Sequence, residues 1–147
     1  MLWNDSYETG VDEIDRQNVD LITYIEAMMS TEDNKAKLRQ LEIFIQLVKK
    51  FFEHEQSLHN RCSYFRVDEH RISHESYIRK LRRMKREFVE MGSSRDNNII
   101  FNKNVVEFLK NHITRHDDLF ARFYHDKIFY ENIAMYGNAY GTVAVSV

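Results

Sequence analysis

The sequence has no proline, only four glycines and a single cysteine, Cys62. Each shortage excludes something. Without proline, and with so little glycine, few positions force the backbone out of a helix, so long uninterrupted helices are expected. One cysteine cannot close an internal disulfide, and an inert thiol in a reducing, cytoplasmic setting is the expected reading. No apolar run is long enough to span a bilayer. The opening Met1-Leu-Trp-Asn-Asp5 has neither the basic nor the apolar region of a secretion signal. No membrane association is therefore expected. An excess of one charge is lacking too: 21 basic residues stand against 23 acidic ones, net -2. A chain so balanced has no overall field to attract nucleic acid. The basic run Arg79-Lys-Leu-Arg-Arg-Met-Lys-Arg86 keeps a helical period and reads as a solvated face, so no nucleic-acid partner is expected.

Helical periodicity is what the sequence does have. Residues 1–10 read as an extended arm anchored by Trp3 and Tyr7 and closed by Gly10. A first helix from near Asp12 carries Val11, Ile14, Leu21, Ile22, Ile25 and Met28 on one stripe, and Asn18 falls on it too. Ser30-Thr-Glu-Asp-Asn34 stops this helix and caps the next. The second helix, about 33–59, buries Leu41, Phe44, Ile45, Val48, Phe51, Phe52 and then Glu55. Asp68 is placed to cap a third helix, in which His70, His74, Tyr77, Leu81, Met84, Phe88 and Met91 alternate at spacings of four and three. A fourth helix, about 97–125, buries Phe101, Val105, Phe108, His112, Leu119 and Phe123. Residues 128–147 read as a separate tail ending in the strand-like Thr142-Val-Ala-Val-Ser-Val147, either a surface for a partner or a second copy or, equally, disordered. The expected fold is all-α: an up-down-up-down four-helix bundle over residues 1–127, with an N-terminal arm and a C-terminal tail.

In such a bundle the polar residues on apolar stripes meet at one end. His70 and His74, four apart on one helix, point the same way, and a neighbouring helix can add Glu55 as a third ligand. His112 and Asn18 come from the other two helices. Leaving such groups unpaired in a core costs about 1–3 kcal/mol each, and a metal ion is the simplest single partner. The plain alternative is a hydrogen-bonded polar core without metal. His54 and His59, each one turn from a stripe position, could reach inward towards a second ion. His116 and His125 are expected to be exposed.

At these positions the sequence resembles the hemerythrin family, in its bacterial branch. Trp3, Tyr7 and Gly10-Val-Asp-Glu-Ile-Asp15-Arg-Gln17 look like the family's first-helix signature. Glu55, His70-Arg-Ile-Ser-His74 and His112-Ile-Thr-Arg-His-Asp117 fall at its ligand spacings, over residues 1–125. The resemblance implies a bundle holding a non-haem di-iron site that binds oxygen reversibly. One iron takes three histidines, matching His70, His74 and His112. Two carboxylates bridge the irons, matching Glu55 and Asp117. Asp117 rests on the resemblance alone, because five residues after His112 it lies about 140° round an ideal helix. The second iron's two histidines are missing, and Asn18 and Phe51 stand in their places.

One divalent ion balances two carboxylates with three neutral histidines. The expected cofactor is therefore iron, one per chain, with two left open. Zinc or manganese would suit the same donors. The expected function is binding or sensing of dioxygen, or a related diatomic such as nitric oxide, at an open coordination position rather than catalysis. The alternatives are a metal-free interaction module and a di-iron oxygen carrier with a rebuilt second site. An oxidase or peroxidase is a further class, but no substrate pocket or general base is legible.

Overall fold

A computed structural model describes residues 2–92 and 94–139. They form a bundle of helices: α1 (Asp12–Met29), α2 (Asn34–Arg61), α3 (Val67–Met91) and a long fourth rod. That rod consists of α4 (Arg95–Asn111), a π-helical turn (His112–Asp117) and α5 (Asp118–Ala139). Among the described residues there is no strand. The strand-like stretch expected at 142–147 lies outside them. No helix among the described residues is long and apolar enough to cross a membrane.

Side chains cap two of the starts. Asp33 accepts from the Ala36 N–H ahead of α2, and Ser94 accepts from the Asn97 N–H ahead of α4. Helix α1 opens differently. Its N-cap Val11 offers no side-chain acceptor, and Asp15 reaches back to take the N–H and hydroxyl of Thr9 and the N–H of Gly10. Gly10 has φ +77°, and a Cβ there would sit 2.9 Å from Nε2 of His125, which itself contacts the Thr9 carbonyl. Only glycine suits that position. The arm, with a short 3-10 turn at Asp5–Tyr7, lays Trp3 and Tyr7 half-buried against the main core. Helix α3 departs from expectation: its N-cap is Arg66, with no side-chain cap bond, and Asp68 sits inside the first turn.

Helix directions follow from contacts at both ends. Glu55 meets His70 where α2 ends and α3 begins, whereas Glu42 meets Lys85 at their opposite ends, so α2 and α3 run oppositely. Phe88 packs on Phe101 and Ser73 lies against His112, so α3 and the fourth rod do the same. Helix α1 joins this end through Gln17–His54 and Asn18–Asp117. The main core is built from Leu21, Leu41, Phe44, Val48, Leu81, Phe88, Phe101 and Val105 and their neighbours. A smaller apolar cluster, including Ile14, Leu58, Tyr64 and Phe120, closes the end at which α1 and α3 begin. The polar site lies between the two.

The fourth rod differs most from the periodic pattern. It does not stop at His125 but remains helical to Ala139. Leu119, expected inside, is 37% exposed, while Phe120 is fully buried. The π turn explains the switch. It takes one residue more per turn than an α-helix, so every inward position after it moves on by one. Met91, at the far end of the α3 stripe, is exposed as well.

Candidate metal centre

Glu55, His70, His74 and His112 are all buried, and one ligand atom from each lies within 4.8 Å of every other. This group could hold a metal ion. Nε2 of His74 is 2.9 Å from Oε2 of Glu55, and Nε2 of His70 and His112 are 3.5 and 3.6 Å from the same oxygen. The His70 and His112 Nε2 atoms are 3.5 Å apart. Asp117, fully buried, brings Oδ1 to 3.3 Å from His70 Nε2 and 3.0 Å from His112 Nε2. Yet Oδ1 is left without a hydrogen-bond partner despite these approaches. Ligand atoms about 2.1 Å from one ion sit roughly 3.0–3.4 Å from their neighbours on its coordination shell. The shortest approaches, 2.9 and 3.0 Å, are also ordinary hydrogen-bond lengths, so the donor set is compatible both with a metal and with a proton-sharing cluster.

Two different helical geometries supply the pairs. His70 and His74 are one α-turn apart. His112 and Asp117 are five apart and open and close the π turn, whose i→i+5 period returns both to one face. The 140° objection to Asp117 holds only for an unbroken α-helix. Around the group, Phe52 stacks flat on His74 with centroids 3.7 Å apart at 6°, and Ser73 Oγ lies 3.2 Å from His112 Nδ1. The Asn18 amide donates to Asp117 Oδ2 at 2.9 Å.

Protons and charges are distributed unevenly. Burial alone would raise the Glu55 carboxyl, but His112, His70 and His74 around it hold it well below the usual range. Burial and Glu55 would likewise raise Asp117, but His112 and His70 beside it pull it below the usual value. Burial works against a charged His112, yet Asp117 and Glu55 push it up to about 10. His70 is raised against the same penalty, by Asp117 and Glu55. His74 is lowered to about 4, by burial despite Glu55 and by the cations beside it. Without a metal, two carboxylates thus face two histidines that favour their protons, and a divalent ion can replace those protons without changing the balance.

The other polar residues have distinct places. His54 is exposed and paired with Gln17 rather than turned inward. His59 is fully buried, and neither of its ring nitrogens has a partner. Burial lowers it to about 3. His116, expected to be exposed, is half-buried with its ring 5.8 Å from that of His112, and burial and His112 lower it to about 4. Phe51 is half-buried against the core, and Cys62 is a buried free thiol. His59 lay on the legible stripe. Its place beside His70 depends on where the connection at 62–66 starts α3, and no spacing records that. Comparison of the chain with family models, with curated proteins and with solved structures finds no match.

Proposed function

We propose that this chain is a hemerythrin-like non-haem iron-binding protein that binds or senses dioxygen, or a related diatomic such as nitric oxide. Glu55, His70, His74, His112 and Asp117 hold one ion. The observation that carries this reading is the convergence of three imidazole nitrogens and two carboxylate oxygens at co-ligand spacing in a buried site.

One ion rather than two is supported by Asn18. Its amide already takes Asp117 Oδ2, so that carboxylate has a single oxygen left to offer. Phe51 adds only an apolar ring. Bound iron supplies an electron-rich centre to which a small diatomic can attach. The chain's own residues orient the ligands: Phe52 sets the plane of His74, and Ser73 meets the outer nitrogen of His112. Two surface grooves lead to ligand edges. One, between α3 and the fourth rod, is lined by Ser73, Tyr77, Phe108, His112 and His116. The other, between α2 and α3, reaches Phe52 and His74.

A metal-free interaction module is the second reading, favoured by the mutual neutralisation of the carboxylates with His70 and His112. One experiment decides between them. The protein is purified without oxygen and without a metal-affinity resin, its metals are counted by elemental analysis, and its spectrum is followed as air or nitric oxide is admitted. The expected result is a single iron per chain and a spectral change that reverses when the gas is withdrawn. Two irons would restore the di-iron carrier. No metal, even after ferrous reconstitution, would leave the interaction module.

A further inference from the structure

We infer that His59 is a positioning residue for the metal centre: a ring nitrogen of His59 accepts the Nδ1–H of His70 and so fixes the tautomer that turns His70 Nε2 to the ion. The inference rests on the metal reading above.

Histidine ligands to a metal nearly always donate their outer N–H to a partner, which sets both tautomer and ring angle. In this cluster Ser73 Oγ lies 3.2 Å from the outer nitrogen of His112, but Nδ1 of His70 is buried and has no partner. Against the His70 ring lies that of His59. The His59 ring is 4.3 Å from the His70 ring at 43°, is fully buried, and leaves both Nδ1 and Nε2 without partners. Its other close neighbours are the rings of Phe120, at 4.3 Å, and Tyr64, at 5.3 Å, whose faces offer no strong acceptor or donor. Three buried nitrogens without partners on two rings in contact can satisfy one another. The bond requires the His59 ring, tilted at 43° to that of His70, to turn an edge nitrogen towards His70 Nδ1. Spacing also suits the role: His59 is one turn beyond Glu55, so a single face of α2 carries a ligand and the support of a second ligand.

The test uses the full chain labelled with 15N-histidine and loaded with zinc, a diamagnetic stand-in for the ion. The expected result is a through-hydrogen-bond coupling between His70 Nδ1 and a His59 nitrogen. In parallel, zinc affinity is measured by competition with a chelating dye. His59→Leu should weaken it by about 10–100-fold, while His59→Gln, which keeps an acceptor, stays within a few-fold of the parent. A loaded protein without the coupling, or a Leu variant that binds zinc like the parent, overturns this inference and leaves the metal site standing. If the Leu variant does not fold, the coupling in the parent chain decides alone. A parent chain that takes up no metal overturns both readings.

Discussion

The two ends of the bundle core are equally buried and chemically opposite. At the end where α2 and α4 begin, Leu41, Phe44, Leu81, Phe88 and Phe101 pack with almost no polar atoms among them. Lys37 is buried there too, its ammonium reaching Asn98 at 2.8 Å, and side-chain oxygens of Asn34, Gln40 and Asn102 lie at the margin. At the other end, Asn18, Glu55, His59, His70, His74, His112 and Asp117 are buried to the same degree. Apolar burial contributes about 25 cal/mol per Å² with no demand on partners. Buried charges must first recover the cost of leaving water, and well-packed apolar residues often do as well or better. The same four helices could therefore have been sealed at both ends with leucine and phenylalanine. The difference teaches that the apolar end suffices to explain stability, while the polar end needs a reason other than stability, which the proposed metal site would supply.

That division of labour can be broken by substitution. The largest effect is expected for Glu55→Ala, which leaves His70 and His112 without their shared carboxylate. Stability should fall by about 3–5 kcal/mol in urea titrations, and metal uptake should be lost. Phe44→Ala, at the apolar end, should cost a similar or slightly smaller 3–5 kcal/mol through the cavity it opens. Its metal content per folded chain should not change. A drop in metal with Phe44→Ala would show that the two ends are not separate.

Acidity sharpens the contrast. His112 is raised to about 10 in the metal-free chain, above an ordinary unfolded value near 6.5. Its contribution to stability is therefore complete below about pH 6.5 and is lost as pH climbs through 10. Urea midpoints of the metal-free protein should fall from pH 6.5 to 9.5, whereas metal binding should tighten over the same range. Each proton displaced by the ion makes affinity rise about tenfold per pH unit. Calorimetry of metal uptake at pH 7, in two buffers of different ionisation enthalpy, should register proton release. The smallest effect is expected for Asn18→Ala, about 1–2 kcal/mol of stability, since it removes one hydrogen bond and frees Asp117 Oδ2. Metal counting on that variant would reveal whether the freed oxygen admits a second ion.

The legibility of the site divides along the two ligand pairs. His70 and His74 sit on a regular helix, so a period of 3.6 placed them inside without help, as it did Glu55 and Asn18. His112 was reached the same way, but nothing in His112-Ile-Thr-Arg-His-Asp117 announces a π turn. Periodicity alone put Asp117 off the seam and, past it, chose Leu119 over Phe120. The turn is settled by tertiary contacts: Asp117 faces His70, His112 and Asn18, and Phe120 packs on His59 and Tyr64. No local propensity encodes these. The helical stretch 128–139 was misread for another reason: its large apolar residues, among them Phe129, Tyr130, Ile133 and Met135, are exposed, so no core-facing stripe marks it as a helix.

Those residues give the π turn a reach beyond the ligands. Phe129, Tyr130, Ile133 and Met135 stand exposed on α5, on the same rod as His112 and Asp117. One extra residue in a turn swings everything downstream by about 100° about the rod axis. The compass bearing of that apolar surface is therefore set next to the candidate ligands. A chain that relaxed His112–Asp117 to ordinary α geometry would point its C-terminal aromatic residues in a different direction.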